Sequence, residues 1–497
     1  MGSMPDTHFD LIVIGGGPSG FAGAMRALDF KKSVLLVEKT GLGGTEVFNG
    51  VMTSKTLWEY SKKVKQVRGL IPDYQVKFED SDKEVREAVR ARRNIINNHL
   101  RILLEESTQH LFHLEKGKAE LTGRNCVRIE RDNGEFADFT ADHILLCAGS
   151  RPRRLPQIPI DEKIILTSDG IRHMRDFQKS LVILGAGIIG CEFATIFSNF
   201  GNSKVFLIDK ADRILPFEDE DVAAMVSESL ERNGVVVHRG SSLVRMDVVD
   251  GRVEYELAYK DGRHEVNVVD QALISVGRQP NVENLGLESA GIRLAERGGI
   301  WRDDTQTNVP NIYAAGDVAT DLSLVNVGES EARHAVERMF GEPGHRMNYE
   351  NISTIMFLDP EVAAVGINEQ EAVRKGIAVK VVKLDFSLLS RAIAMHKTNG
   401  FFKILVTNDH AMRILGMRAV GVHASSAIEA VAYLIHTQQG IRELANMIHP
   451  HPSIIEGIQE ALRMLLGNSI YKPEVLKDRL QCYVIENGVK TPLDTVF

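Results

Sequence analysis

Three glycines near the N-terminal end of the sequence have a spacing that could bind a phosphate group. Gly15, Gly17 and Gly20 follow the apolar run FDLIVI and open an alanine-rich stretch typical of a helix. A Gly-x-Gly-x-x-Gly turn lets a pyrophosphate approach the backbone, and the positive end of the helix dipole favours its charge. Glu38 ends the next apolar run, where a carboxylate holds an adenosine ribose. The pattern, in this context, predicts a dinucleotide site.

The same pattern occurs a second time, in the run LVILGAGIIG. Gly185, Gly187 and Gly190 follow a predicted strand, and Asp209 ends the strand after the next helix. An aspartate at this point accepts hydrogen bonds from a ribose 2′-hydroxyl and repels a 2′-phosphate. We therefore predict that the second site binds NAD(H), with NADP(H) as the alternative because basic residues follow Asp209.

Further short motifs accompany the two glycine patterns. They are GGTEVFNGVMTSK at 43–55, LLCAGSRPRRLP at 145–156, SVGRQPN at 275–281, NVPNIYAAGDV at 308–318 and MIHPHPSIIEGIQEAL at 447–462. With these motifs the chain, over residues 8–470, resembles the FAD-dependent pyridine nucleotide-disulfide oxidoreductase family, the family of lipoamide dehydrogenase.

The resemblance implies a fold and a domain order. The fold class is α/β, with two Rossmann-like dinucleotide-binding domains and a C-terminal α+β interface domain that forms a homodimer. FAD would bind at the first glycine pattern and NAD(H) at the second. The expected divisions are an FAD-binding domain (1–150), an NAD(P)-binding domain (151–278), a central segment completing the FAD site (279–348), a dimerisation domain (349–470) and a C-terminal extension (471–497). We expect the extension to form a small hairpin or docking arm.

The family's motifs also imply roles for residues at matching positions. The additional cofactor-binding positions are Gly43, Gly44, Thr45, Gly149, Gly277, Arg278 and Asp317, of which the last contacts the flavin ribityl chain. Lys55 matches the family's lysine beside the flavin, and Glu192 matches the glutamate that pairs with it near the nicotinamide. His451 and Glu456 match the family's acid–base pair. His449 is a competing histidine, but the spacing to Glu456 selects His451.

The segment 43–55 departs from the family at its reactive positions. The family pattern GGTCxNxGCxPSK has two cysteines, and this chain has Glu46 and Val51 in their places. A thiolate attacks a disulfide, and neither a carboxylate nor an isopropyl group can replace it. Glu46 could bind or deprotonate a substrate, reinforce local hydrogen bonding, or be a drifted loop residue. Phe48 and Thr53, in place of asparagine and proline, indicate a changed pocket wall.

These residues together favour an FAD-dependent NAD(P)H oxidoreductase that works without a redox-active disulfide. Hydride from NADH would pass through the flavin to a small-molecule acceptor, quinone-like or otherwise conjugated, and His451 would supply a proton. One alternative is a soluble pyridine nucleotide transhydrogenase, although hydride exchange between nicotinamides needs no solvent proton. The other is a catalytically silent flavin-binding paralogue with a structural or regulatory role, against which the retained Lys55 and Glu192 argue.

Composition excludes several other classes of protein. A formal net charge of −8 gives no basic surface for nucleic acid, and no apolar run reaches the ~18 residues that a membrane span needs. The widely separated Cys126, Cys147, Cys191 and Cys482 form no metal-ligand cluster and suit a reducing, cytoplasmic location. Residues 80–107 combine apolar residues at helical spacing with dense charge, which predicts long amphipathic helices.

Overall fold

The computed structural model describes residues 7–105, 111–319, 322–342 and 344–493. It divides into two compact units, the first made of 1–60, 76–177 and 273–347, and the second of 61–75, 178–272 and 348–497. The finer division into five segments stays a prediction. In chain order, the α-helices are α1 (Pro18–Asp29), α2 (Gly44–Phe48), α3 (Val51–Leu70), α4 (Phe78–Glu105), α5 (Ile188–Phe200), α6 (Glu220–Arg232), α7 (Leu287–Ala290), α8 (Val325–Phe340), α9 (Glu369–Arg374), α10 (Ser390–Ala394), α11 (Ala424–Ala427), α12 (Glu429–His436), α13 (Arg442–Asn446) and α14 (Glu456–Leu465).

The strands alternate with these helices as an α/β chain requires. They are β1 (His8–Ile14), β2 (Val34–Glu38), β3 (Phe112–Leu121), β4 (Cys126–Arg131), β5 (Phe136–Leu146), β6 (Ser150–Pro152), β7 (Ile165–Thr167), β8 (Ser180–Leu184), β9 (Lys204–Ile208), β10 (Val236–His238), β11 (Ser241–Val249), β12 (Arg252–Tyr259), β13 (His264–Val269), β14 (Gln271–Ile274), β15 (Arg278–Pro280), β16 (Arg302–Asp303), β17 (Gln306–Thr307), β18 (Ile312–Ala314), β19 (Ser353–Met356), β20 (Val362–Gly366), β21 (Val379–Asp385), β22 (Phe401–Thr407), β23 (Ile414–Val420), β24 (Leu480–Glu486) and β25 (Val489–Pro492).

The first unit is built on a parallel sheet. The parallel strands run in the order β3-β2-β1-β5-β18, with Ile12 opposite both Leu35 and Ile144. The central strands are almost continuously apolar because both of their faces are buried, which is the usual pattern in a parallel sheet. Helices α1 and α8 pack against each other in this unit. The turn from β1 into α1 therefore lies at the carboxyl edge of the sheet, where nucleotides bind.

Helix α4, in the same unit, is amphipathic as predicted, and it is one continuous helix. Its buried residues Val85, Ile96 and Leu100 face the core, while most of its charged residues are exposed. Across the described residues, every helix is too short or too polar to cross a membrane. The arginines of α4 lie close to the segment 43–55, as described below.

The second unit contains another parallel core and a large antiparallel sheet. Strands β10, β9 and β8 run parallel beside α5, and β11, β12 and β13 form an antiparallel meander. The antiparallel sheet has the order β19-β20-β23-β22-β21-β24-β25. Its buried face packs against α12 and α14 in one hydrophobic core. The predicted α/β fold with a C-terminal α+β domain is confirmed.

The C-terminal extension forms the expected hairpin, and the hairpin belongs to this sheet. Strand β24 pairs antiparallel with β21 along its whole length and continues into β25. Tyr483 and Lys490 of the hairpin both contact the carboxylate of Glu369, the lysine at 2.5 Å and the tyrosine hydroxyl by a hydrogen bond. The extension is therefore part of the folded core of the second unit.

Glu369 belongs to a buried cluster of charges, centred on Lys403. This lysine is 0% exposed, and its Nζ lies 2.7 Å from Asp219, 2.6 Å from Asp221 and 3.3 Å from Glu369. Burial would lower the pKa of Lys403, but the three carboxylates raise it above its ordinary value. Burial would likewise raise the pKa of Asp221, but Lys403 and Lys383 hold it at about 2. The cluster ties the start of α6 to the antiparallel sheet.

Replacing Lys403 by Met should destabilise the protein by about 3–5 kcal/mol, because three buried carboxylates lose their shared cation. The pKa of Asp221 lies below the ~3.9 of an unfolded aspartate, so its contribution is complete above about pH 4 and is lost as the pH falls towards 2. Urea unfolding at neutral and acid pH measures both effects, with the exposed Lys397→Met as control. Equal stability of the two variants would contradict the stabilising role of Lys403 in the charge cluster.

Candidate functional site

The first glycine loop has no space for a side chain at Gly15 or at Gly20. Gly15 has a φ of +106°, and a Cβ there would lie 2.3 Å from the carbonyl oxygen of Cys147. A Cβ on Gly20 would lie 1.8 Å from the carbonyl oxygen of Gly15. Gly17 is the N-cap of α1 and has an extended conformation. The loop thus brings the helix N-terminus and its free N–H groups to the edge of the sheet, as a dinucleotide phosphate requires.

Glu38 fixes the loop from the end of β2. Its Oε2 accepts a hydrogen bond from the Gly16 amide at 2.7 Å, and its Oε1 accepts one from the Thr40 amide at 2.7 Å. The carboxylate is therefore oriented by the backbone on both sides. This geometry places it where the sequence predicted a ribose-binding carboxylate.

The second glycine loop repeats this arrangement in the second unit. Gly185 has a φ of +102°, and Gly187 caps α5 in an extended conformation. Asp209 accepts hydrogen bonds from the Ala186 amide at 2.7 Å and the Ala211 amide at 2.8 Å. A Cβ on Gly187 would have no described heavy atom within 4 Å, so a phosphate can approach the backbone there. Gly190 lies in the first turn of α5, as the pattern requires.

Three separate motifs meet beside the first glycine loop. The Ser150 hydroxyl donates to Asp317 at 2.6 Å, and Arg278 donates to the Ser150 hydroxyl at 2.8 Å and to its carbonyl oxygen at 2.9 Å. Strands β6 and β15 pair antiparallel and hold these residues together. Gly149 and Gly277, which precede them, have φ values of +69° and +100°. The sequence predicted Arg278 and Asp317 but not the serine that joins them.

The residues Gly43 to Thr45 join the segment 43–55 to the glycine loop. Gly43 and Gly44 both have positive φ, and a Cβ on Gly44 would lie 2.9 Å from the Cα of Gly17. The backbone amide of Asn49 donates to the Thr45 carbonyl. Helix α2 therefore begins directly against the first nucleotide loop.

Glu46 and Val51 have different environments in this segment. The Oε1 of Glu46 accepts a hydrogen bond from the Nε of Arg92 on α4 at 3.1 Å. The guanidinium of Arg93, the next residue of α4, lies 5.3 Å from the centroid of the Phe48 ring. Val51 is the first residue of α3 and is partly buried. Sequence reasoning missed both arginines, since their spacing on α4 does not distinguish them from other surface charges.

Lys55 and Glu192 lie in different units. Lys55 is one turn after Val51 on α3, in the first unit. Glu192 is buried on α5, in the second unit, and its Oε1 accepts a hydrogen bond from the Phe357 amide at 3.0 Å. Their pairing beside a nicotinamide stays a prediction.

The histidine and glutamate predicted as an acid–base pair are in contact. The Nδ1 of His451 lies 2.8 Å from Oε2 of Glu456, the first residue of α14. The His451 side chain is 71% exposed, whereas that of Glu456 is largely covered. The Nε2 of the competing His449 lies 3.3 Å from the Leu444 carbonyl. Because Nδ1 of His451 contacts Glu456, the Nε2 atom of the same ring points away from that carboxylate.

The four cysteines lie far from positions 46 and 51 in the sequence. Cys147 and Cys191 are buried, and burial raises the pKa of both thiols far above the ordinary value. Burial also raises the pKa of Cys482, on β24, to about 12. A thiol with such a pKa holds its proton at neutral pH and is a poor nucleophile.

The chain has two glycine loops, and a carboxylate accepts a hydrogen bond from the backbone of each loop. Asp317 and its hydrogen-bonding partners lie beside the first loop. These features define the class of flavoprotein oxidoreductases that bind two dinucleotides. The chain belongs to the pyridine nucleotide-disulphide oxidoreductase family: the family model matches residues 9–336, and the model of the family's dimerisation domain matches 352–462. The cofactors of this family are FAD and NAD(P)H, and the two loops described above fit them.

Similar proteins share the whole length of the chain. The dihydrolipoyl dehydrogenase of Chlamydia muridarum is 30% identical over 94% of this chain and 99% of its own length, and that of Geobacillus stearothermophilus is 32% identical over 93% and 97%. Among solved structures, LpdA from Mycobacterium tuberculosis has a TM-score of 0.83 at 25% identity, covering 92% of this chain and 99% of its own. The HOCl-induced flavoprotein disulfide reductase RclA from Escherichia coli has a TM-score of 0.81 at 26% identity, covering 92% and 100%.

The substitution Gly20→Ala should abolish retention of FAD, because its Cβ would collide with the Gly15 carbonyl and open the loop. The measurement is the ratio of flavin to protein after purification, alongside the circular dichroism of the variant. Gly69→Ala is the control, since a Cβ at Gly69 meets nothing within 4 Å. Full flavin content in the Gly20 variant would show that this loop does not hold FAD.

Proposed function

We propose that this protein is an FAD-dependent NAD(P)H oxidoreductase that passes electrons to a small organic acceptor, quinone-like or otherwise conjugated, without a redox-active disulfide. NADH is the proposed donor, because both oxygens of the Asp209 carboxylate are oriented by backbone amides at the position that selects a ribose 2′-hydroxyl. FAD, which the first glycine loop and Glu38 would hold, would supply the hydride and electron-transfer chemistry between the nicotinamide and the acceptor.

The observation that carries the proposal is the ion pair at the first cysteine position. The carboxylate of Glu46 is held by Arg92, so the side chain at this position is anchored to α4. Neither Glu46 nor Val51 can form a disulfide with the other, and the buried thiols of Cys147 and Cys191 are protonated. The family's disulfide step therefore has no nucleophile at these positions.

The acid–base pair supports an acceptor that takes up a proton. Glu456 holds the Nδ1 of His451, which leaves Nε2 to deliver a proton to an acceptor oxygen or nitrogen. Because His451 is exposed in the single chain and lies within the dimerisation segment, we propose that it serves the site of the partner subunit in a homodimer.

The wild-type enzyme, reduced anaerobically with NADH, should be reoxidised by 1,4-naphthoquinone and not by lipoamide. The double variant Glu46→Cys/Val51→Cys should gain lipoamide reduction by tenfold or more, since it restores the two thiols. The flavin absorbance during sequential addition of each acceptor measures both results. Reoxidation by lipoamide alone would refute the proposal, and an oxidised spectrum that neither NADH nor NADPH changes would favour a catalytically silent protein.

Replacement of His451 by Gln should slow reoxidation by naphthoquinone about 10²-fold, the usual cost of losing a general acid. Reduction of the flavin by NADH should keep its wild-type rate, because that step needs no proton from this histidine. The matched control is His449→Gln, which removes the neighbouring imidazole. Unchanged reoxidation in the His451 variant would remove this residue from the proton-transfer step.

A further inference from the structure

The ion pair between Glu46 and Arg92 is asymmetric in exposure and in hydrogen bonding. The Glu46 side chain is 14% exposed, whereas that of Arg92 is 39% exposed. The contact uses the Nε of Arg92, and in the described part of the chain its terminal nitrogens make no hydrogen bond. A guanidinium has five N–H donors in a rigid fork, so the terminal nitrogens remain available to a further acceptor.

A second contact joins α4 to α2. The Arg93 guanidinium lies against the Phe48 ring, and that ring packs on Gly41, where a Cβ would come within 2.9 Å of it. Two adjacent arginines of α4 therefore contact two residues of α2, Glu46 and Phe48. Both of these residues differ from the family's pattern.

Other charged groups also act on this position. Burial and the charge of Glu46 raise the pKa of the Glu329 carboxyl on α8, while Arg92 and Arg333 act in the opposite direction. Gly328, next to Glu329, packs against Ser19 of the first glycine loop. With Arg93, three arginines and two carboxyls lie around this position, and the excess positive charge suits an acceptor that gains electrons.

We propose that Arg92 binds the carbonyl oxygen of the electron acceptor, and that Glu46 is the positioning residue that holds the guanidinium in place. The inference rests on the proposed function, and it assigns Glu46 no proton transfer. The acceptor class is a neutral conjugated carbonyl compound such as a quinone. A quinone would take two electrons and one proton, as a hydride, from the bound reduced cofactor, and one more proton from His451 of the partner subunit. Its two C=O π bonds are lost, and two O–H bonds form.

Arg92 contributes to this reaction through charge. Negative charge develops on the carbonyl oxygen as the electrons arrive, and a fixed guanidinium stabilises it without having to reorganise. A free arginine side chain would first lose its rotational freedom, so the bond to Glu46 matters even though that carboxylate does not touch the acceptor.

In the Arg92→Met variant, reoxidation by 1,4-naphthoquinone should be about 10²-fold slower, the typical effect of losing one donor to a developing oxyanion. Reduction by NADH should be unchanged. Arg90→Met is the matched control, because Arg90 is an exposed arginine on the same helix. Glu46→Ala should also slow reoxidation, and Glu46→Gln should restore most of the rate because its amide oxygen still accepts from Nε. Wild-type reoxidation in the Arg92 variant, or equal rates for the two Glu46 variants, would overturn the inference.

A binding measurement separates this inference from the proposed function. The redox-inert ketone 4-chromanone is titrated against the oxidised holoenzyme, and the flavin absorbance reports binding. It should bind about tenfold more weakly to Arg92→Met than to the wild type, as expected for one lost charge-assisted hydrogen bond. If naphthoquinone fails to reoxidise the wild type, the proposed function fails, and this affinity difference still decides the role of Arg92. Equal affinities refute the role.

Discussion

The contact between a strand-end carboxylate and the glycine loop beside it is the constraint on which both nucleotide sites depend. In the first unit Glu38 accepts from the Gly16 amide, and in the second Asp209 accepts from the Ala186 amide. Each contact holds a loop whose first glycine has a positive φ, and each leaves the N-terminus of a helix facing the ligand. Both units use the same arrangement of a glycine loop and a strand-end carboxylate, so the same Gly-x-Gly-x-x-Gly pattern occurs twice in the sequence.

Helix α4 holds the segment 43–55 through side chains that lie far from it in the sequence. A disulfide between positions 46 and 51 would connect α2 to α3 directly. Here the same segment is connected to α4 by the ion pair of Glu46 with Arg92 and by the contact of Phe48 with Arg93. Both contacts involve a guanidinium, so the segment 43–55 has charged partners on α4.

Features whose residues lie close together in the sequence could be predicted from the sequence. The glycine loops and their carboxylates follow from the spacing within one βαβ unit, whereas the pair of His451 with Glu456 was implied by the resemblance to the family. The helix predicted at 80–107 was recognisable for the same reason; it begins at Phe78, and residues 106 and 107 lie outside the described part of the chain. Contacts between residues distant in the chain were not predictable. Arg92, the partner of Glu46, is one of several arginines on α4, and Lys403, the partner of Asp219, lies in a strand whose sequence does not distinguish it from other strands.

The hairpin at the C-terminus gives the order of synthesis a physical meaning. Strand β24 follows its neighbour β21 by about a hundred residues, and Lys490 lies a few residues further on. Until then Glu369 lacks two of its partners, and β21 exposes an unpaired edge. The antiparallel sheet of the second unit is therefore complete only after residues 480–492 have been synthesised, and a chain without them would have an open sheet edge and a carboxylate with fewer partners.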